Sequence, residues 1–302
     1  MQRPSINIQQ GVNFPKISIV TPSYNQGAYL EATILSVLGQ NYPNIEYIIM
    51  DGGSTDNSVE IIKKYQQHLY YWRSEKDEGQ AAAINAGFKK ATGDILMWLN
   101  SDDMLMPNVL NTIATVAVNE GDKLFVGNCI HFHEQDSGVL RSWGSSVPTK
   151  CVNLQLALID YIIQPSSFWT KAVWNKVGPL DEKLHFVFDW EWYLRAQSEK
   201  VEIKSINLCL SLYRIHEKHK SSNGGEKKLD EIATVYEKYI PEKLSLYQKL
   251  RKRKKRFFSK AFERIYFVSG KKHQYGVWFK IFYPLQFKGH TSSEINMVLG
   301  ML

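Results

Sequence analysis

Ile95-Leu96-Met97-Trp98-Leu99-Asn100-Ser101-Asp102-Asp103 decides the reading of this chain: five apolar residues, then at once four polar ones. A short unbroken apolar run with polar punctuation reads as a buried strand. The two adjacent carboxylates repel each other, and a fold must offset that with a cation or with water. A divalent metal does so by oxygen coordination, and Mg²⁺ or Mn²⁺ keeps open positions for phosphate oxygens. The pair also suits the N-cap and first turn of a following helix, although Pro107 is the more natural start of that helix. On these residues alone, both readings stand.

Working outward, Ile17-Ser18-Ile19-Val20-Thr21 is a β-branched run ending at Pro22, a first strand. Tyr29 to Gly39 carries apolar residues at helical spacing, and Pro43-Asn44 breaks the chain. Ile45 to Met50 is a second strand, Val59 to Tyr65 a second helix, Leu69 to Arg73 a third strand and Gly79 to Ala91 an Ala-rich helix. This βαβ rhythm predicts an α/β fold with a mostly parallel sheet and helices on both faces. Ligands in such sheets bind beyond the carboxyl ends of the strands. The polar clusters after Val20, Met50 and Leu99 all fall there, so one pocket can collect all three.

Each cluster has a structural and a chemical reading. Asp51 is the first residue beyond its strand, placed to accept the N3–H of a uracil or thymine ring or a ribose hydroxyl. The stretch Asp51-Gly52-Gly53-Ser54-Thr55-Asp56 is equally a turn with a helix cap, which suits Asp56 and Asn57. Asp77-Glu78-Gly79-Gln80 is a cap or a second polar wall of a nucleotide pocket. Asp189 stands in Phe186-Val187-Phe188-Asp189-Trp190-Glu191-Trp192-Tyr193. Such rings desolvate a carboxylate and raise its pKa toward values useful in proton transfer. The alternative is a buried helix whose acids meet cations, with Arg195 in reach of either acid. On a helix, Asp189 and Glu191 point to different sides. His216 and His219 have a spacing that fits metal ligands on a helix, although a lone pair of histidines is more often simply surface. Cys129, His131 and His133 make no zinc pattern.

Composition narrows the class. The chain has 302 residues, 44% hydrophobic and 22% charged, which excludes a mostly disordered chain, a collagen or a coiled coil. No apolar run approaches the length of a spanning helix, and Met1 to Gln10 lacks the basic and apolar regions of a signal peptide. Three separated cysteines, Cys129, Cys151 and Cys209, point away from a disulfide framework and toward the cytoplasm. The net charge of +7 is uneven: Pro241 to Leu302 holds 14 Lys and Arg against 3 Asp and Glu, leaving the remainder at −4. The run Arg251-Lys252-Arg253-Lys254-Lys255-Arg256 is followed by Phe257, Phe258, Phe262, Tyr266 and Phe267, then Trp278, Phe279, Phe282 and Tyr283. Cations beside large rings suit an anionic membrane surface; a solvated helix with aromatics on the body is the other reading. No nucleic-acid motif accompanies the patch, and no nucleic-acid partner is expected.

These residues resemble the inverting glycosyltransferases of family 2, which have the GT-A fold. The resemblance rests on Thr21-Pro22-Ser23-Tyr24-Asn25, Glu31, Asp51-Gly52-Gly53-Ser54-Thr55-Asp56, Asp77-Glu78-Gly79, Asn85-Ala86-Gly87, Gly93-Asp94, Asn100-Ser101-Asp102-Asp103 and Phe188-Asp189-Trp190-Glu191, all in family order. It implies that Thr21, Pro22, Tyr24, Glu31, Asp51 and Asp77 line a nucleoside pocket, and that Arg214 and His216 lie in the segment closing over a diphosphate. Asp102 and Asp103 match the DXD-like site for Mn²⁺ or Mg²⁺, with His216 joining the metal ligands, and Asp189 matches the catalytic base. Two positions depart from the family: Asn100 and Gly52 stand where many members carry Asp.

The resemblance implies a metal-dependent inverting hexosyltransferase that moves a sugar from a nucleotide-diphosphate donor, UDP-sugar favoured, to a hydroxyl of a saccharide or lipid-linked acceptor. Its setting would be surface polysaccharide or glycolipid assembly. The expected organisation is an N-terminal lead (1–15), a GT-A domain (16–222) and a helical, basic and aromatic C-terminal extension (223–302). The expected place is the cytoplasm, with the extension able to hold the chain to the inner face of the membrane. A nucleotidyltransferase would carry a Gly-rich, Arg-containing loop after the first strand, and Thr21-Pro22-Ser23-Tyr24-Asn25 is not one. The alternative is a non-catalytic nucleotide-binding or scaffold protein held at the membrane by its basic tail.

Overall fold

A computed structural model describes residues 14–134, 140–145, 153–216, 220, 224–257 and 275–302. Its first half alternates strictly: β1 (Ile17–Ser23), α1 (Gly27–Leu38), β2 (Ile45–Asp51), α2 (Ser58–Tyr65), β3 (Tyr71–Ser74), α3 (Gln80–Phe88) and β4 (Ile95–Trp98). These are the elements the apolar spacing predicts, with shifted ends. β3 starts after Leu69 because Gln66–His68 closes a 3-10 turn and Leu69 leaves it extended. α3 stops at Phe88 because the Lys90 and Ala91 amides both turn back to the Gly87 carbonyl.

The second half adds β5 (Met104–Leu105), α4 (Val109–Glu120), β6 (Leu124–Glu134), β7 (Leu140–Gly144), α5 (Asn153–Leu158), β8 (Ser167–Thr170), α6 (Lys171–Val177), α7 (Phe188–Ser198) and β9 (Ile203–Arg214). The sheet runs β3-β2-β1-β4-β8-β6-β9-β5, with β7 paired to β6. β1 pairs in parallel with β2 and β4, and β2 with β3. Beyond β4 the sheet is mixed: β8 is antiparallel to both β4 and β6, β9 runs parallel to β6, and β5 is antiparallel to β9. The parallel part reverses its order beside β1, since β2 lies on one side and β4 on the other. That switch point opens a crevice at the carboxyl ends of β1 and β4.

Alternation along β1 sends Ile17 and Ile19 to a core shared with α1 and α4, and Val20 to a core shared with α3 and α7. α3 lies so close to the sheet that a Cβ at Gly87 would meet Val20 Cγ1 at 2.4 Å. The second core is aromatic: Trp98, Trp169 and Trp192 are fully enclosed, with ring centroids 5.3 and 4.8 Å apart along the series. Enclosing one such side chain contributes about 1.5–3 kcal/mol.

Among the described residues, four helices follow: α8 (Gly225–Tyr239), α9 (Pro241–Phe257), α10 (Tyr275–Phe282) and α11 (Ser292–Met301). They are built into the body. Ile232, Val235, Tyr236, Leu246, Tyr247, Leu250, Phe279, Phe287, Ile295 and Val298 are buried in the same cluster as Val20 and Trp98. The first cation of the basic run is engaged within the fold, because Arg251 pairs with Glu226 at 2.6 Å and Asp230 at 2.7 Å on α8. Met1 to Gln10, Cys151, His219, Ser221 to Asn223, the side chains at 253–257, Phe258, Phe262, Tyr266 and Phe267 lie outside the described residues. Within them, no helix is long and apolar enough to cross a membrane.

Candidate active site

The acid pair after β4 leads into a strand. β5 follows Asp103 and pairs with β9, and the next helix begins only at Val109, so Asp102 and Asp103 cap no helix. The Thr33 hydroxyl on α1 lies 2.9 Å from the Ser101 carbonyl and 2.7 Å from that of Asp103, fixing the turn. Pairing of β5 with β9 brings residues 214–216 across the acids. His216 Nε2 then lies 3.0 Å from Asp102 Oδ2. The Arg214 amide donates to Asp103 Oδ1 at 3.1 Å and its Nε donates to the Asp102 carbonyl at 3.3 Å. The Arg214 guanidinium sits over the Tyr29 and Phe132 rings at 5.1 and 4.7 Å, and Tyr29 also packs on the His216 ring at 4.4 Å.

The two acids differ in situation. Asp103 is enclosed, and its second oxygen faces the Asn100 amide at 3.4 Å. Burial, and then the Asp102 charge, push its carboxyl well above the ordinary range. Both Asp103 oxygens thus have partners within the fold, while Asp102 Oδ2 faces His216 Nε2. A carboxylate oxygen and an imidazole nitrogen 3.0 Å apart are donors that divalent ions accept. Among the described residues, no group of three or more His, Cys, Asp or Glu forms a metal cluster, so remaining positions would fall to other oxygens.

The loop after β2 forms the next wall. The Asp51 carboxylate is buried and accepts from the Gly53 and Ser54 amides at 3.2 and 2.9 Å and from the Ser74 and Ser54 hydroxyls at 2.7 and 2.5 Å. The structure thus gives Asp51 a loop-holding place, with its carboxylate occupied by neighbours. Asp77 comes to the surface of this wall. Its Oδ1 accepts from the Gly79 amide at 2.9 Å, and a Cβ at Gly52 would stand 2.8 Å from its Oδ2. The glycine at 52 is what admits the Asp77 carboxylate, and burial raises the pKa of that carboxylate. Thr21 is buried against the Tyr47 hydroxyl at 3.1 Å, Pro22 is buried, and Tyr24 is exposed beside them. Asp56 joins two helix starts, accepting from the Gly27 and Ser58 amides at 2.9 and 3.0 Å. Glu31 is not brought to this wall. It lies on the face of α1 toward α2, where Lys64 and the Tyr65 hydroxyl donate to it at 2.6 and 2.7 Å.

The third wall comes from α7. The Phe188 ring lies 6.2 Å from Trp98 at the end of β4, which sets the first turn of α7 beside the crevice. Asp189 accepts its neighbour's amide, from Trp190, at 2.8 Å, and burial raises its carboxyl above the ordinary range. Glu191 points elsewhere, to Arg195, Lys238 and the Tyr239 hydroxyl. Burial would raise Glu191, but these donors outweigh it and hold it low.

Four residues here have roles that the sequence pattern does not reveal. Gln80 Nε2 donates to Asn100 Oδ1 at 2.8 Å, while Lys220 Nζ donates to Gln80 Oε1 at 2.9 Å. Gln164 accepts from Asn100 at 3.2 Å and donates to the Trp98 carbonyl at 2.8 Å. Burial lowers the Lys220 pKa although Asp189 opposes this, and its ammonium lies over the Phe188 ring at 5.5 Å. Asp160 is pushed well above the ordinary range by burial and by the Asp189 charge. Its one sequence signal is a lone acid within Leu158-Ile159-Asp160-Tyr161-Ile162-Ile163.

Known proteins resemble this chain in sequence and in fold. Uncharacterized glycosyltransferases of Haemophilus influenzae and of a Nostoc species are 44% identical over 97 residues and 28% identical over 214, covering 31% and 67% of this chain. The matches span 39% and 65% of the length of those relatives. The fold is that of GT-A glycosyltransferase structures. S. aureus TarS 1–349 in complex with UDP-GlcNAc superposes with a TM-score of 0.58 at 18% identity, covering 88% of this chain and 79% of that one. The mannosyltransferase PcManGT of Pyrobaculum calidifontis, in complex with GDP-Man and Mn²⁺, gives 0.60 at 12% identity, covering 95% and 86%. The model for glycosyl transferase family 2 matches residues 18–169, from β1 through the acid turn to β8. With that match across the strands that build the crevice, the chain belongs to glycosyltransferase family 2.

Proposed function

We propose that the chain transfers a sugar from a nucleotide-diphosphate donor, a UDP-sugar by preference, to a hydroxyl of a saccharide or lipid-linked acceptor, with inversion at the anomeric carbon. The observation that carries this reading is the meeting of Asp102 and His216, 3.0 Å apart, at the carboxyl end of β4, with α7 presenting Asp189 beside the same strand end. Two proteins with the same fold are seen in complex with UDP-GlcNAc and with GDP-Man and Mn²⁺, which supports a nucleotide-sugar donor here.

Asp102 and His216 would hold Mn²⁺ or Mg²⁺, the imidazole favouring Mn²⁺ because Mg²⁺ sites are built from oxygen. Once bound, such an ion neutralises charge developing on a departing diphosphate. Asp77 and the turn held by Asp51 would form the wall against the nucleoside, with Thr21, Pro22 and Tyr24 adjoining it. Arg214 lies across the acid turn and would face the diphosphate. Asp189 would take the proton of the acceptor hydroxyl as it attacks. Its raised pKa brings it nearer the alcohol's and makes it a better proton acceptor, provided it is ionised at the working pH. Asp160, raised by burial and by the Asp189 charge, is the acid coupled to it. Holding donor and acceptor in line contributes the rest. Surface polysaccharide or glycolipid assembly is the setting we infer.

Thermal-shift titration with UDP-, GDP- and dTDP-sugars, each with and without Mn²⁺, tests the donor site. NMR of the product's anomeric proton tests inversion. A Mn²⁺-dependent shift without donor turnover over any acceptor series would favour the nucleotide-binding scaffold instead.

A further inference from the structure

α10 has one face in the core and one outside it. Phe279 is fully buried against Phe287, their rings 5.4 Å apart, and Gly276 abuts Ser292 of α11. Val277 and Ile281, one helical turn apart, are 44% and 58% exposed, Trp278 beside them is 37% exposed, and Leu285 in the following turn is 87% exposed. Four large apolar side chains on one short segment have no reason to stand in water unless something covers them.

The charge around this face says what the cover is. Lys280 and Lys288 are exposed, and among the described residues no acid pairs with them. Between residues 275 and 302 the one acid is Glu294, already bound to Lys243 at 2.6 Å and closing the Thr291 cap. The half-buried ring of His290 is held below its usual pKa by burial and then by Lys243, which Lys249 and Lys280 reinforce despite Glu294. Cations therefore gather around the apolar segment. A protein partner of that shape would need an acidic rim; an anionic bilayer supplies phosphates over hydrocarbon everywhere.

We infer that α10 and the turn after it form a membrane-docking face, with Val277, Trp278, Ile281 and Leu285 entering the acyl boundary and Lys280 and Lys288 meeting anionic headgroups. This relocates the membrane contact from the start of the basic run, where Arg251 is engaged by α8, to the exposed helix behind it. The inference goes beyond the donor-site reading and stands or falls without it.

Full-length protein is sedimented with vesicles of phosphatidylcholine containing 30% phosphatidylglycerol and with pure phosphatidylcholine vesicles. Preferential binding to the anionic vesicles is expected. The double substitution Ile281→Glu/Leu285→Glu should lower the partition coefficient about tenfold or more, and Lys280→Glu/Lys288→Glu should lower it on anionic vesicles alone. These side chains are at the surface, and Leu285→Ser, at the most exposed of them, repeats the test without adding charge. Unchanged sedimentation of Ile281→Glu/Leu285→Glu overturns the inference. So does a lipid-free dimer that this substitution dissociates while the wild type ignores both vesicle types, since the face would then cover a second copy. Donor-induced thermal shifts on the same samples report the nucleotide site separately.

Discussion

The imidazole of His216 and the carboxylate of Asp102 meet at 3.0 Å although 114 residues separate them in the chain. Strand pairing between β5 and β9 creates the contact, so the two donors form one unit. Asp102→Ala and His216→Ala should each weaken Mn²⁺-dependent nucleotide binding by about tenfold or more, the size typical of losses at metal-site residues. The double variant should do little further harm. Titration calorimetry of UDP with and without Mn²⁺ measures this. Mn²⁺ dependence that survives in either single variant would refute the assignment.

Asp189→Asn keeps shape and removes the proton acceptor. We expect transfer to fall by about 10²–10⁴-fold, the range for general base catalysis, with nucleotide affinity within a few fold of wild type. Equal losses in affinity and rate would move Asp189 into the nucleotide pocket.

Gly52→Ala would place a Cβ against the Asp77 carboxylate. The variant should raise the donor KM several fold with kcat near wild type. Asp77→Ala should cost as much by itself and add little to Gly52→Ala. Additive effects would show that the glycine serves something other than Asp77.

Asp160→Asn mimics the protonated carboxyl. A group whose pKa rises on folding stabilises the protein below its unfolded pKa, and that benefit is lost as pH climbs through the folded value. The variant should therefore melt with wild type near pH 4 and above it at pH 8, by about 2–4 °C for each ~1 kcal/mol recovered. A Tm difference independent of pH would mean that the carboxyl's burial is not what raises its pKa.

The first half of the fold was legible because each element is short, local and strongly patterned. Ile17–Val20 and Ile95–Leu99 are apolar runs that end at turn residues, and the spacing of Leu30, Ile34 and Val37 admits only a helix. The later strands resisted reading for physical reasons. β5 is two residues long, and β6 shifts register against β9 at Gly127–Cys129, so neither shows a clean period. In the site, acids at strand ends could be named from position alone. Their division of labour could not, because it depends on neighbours remote in sequence. Glu31 is captured by Lys64 and Tyr65, Asp51 by Ser54 and Ser74, and Asp103 by Asn100 and the Arg214 amide. Gln80 and Lys220 meet only after α3 and the segment past β9 are assembled.

The shared enclosure of Tyr236, Tyr247 and Leu250 with Trp98 and Val20 constrains anyone who would splice this protein. A chimera cut at the start of α8 would leave a wide greasy scar on the donor-binding half, and the severed helices would aggregate. Swapping acceptor preference between relatives therefore requires that the terminal helices travel with the piece they seal.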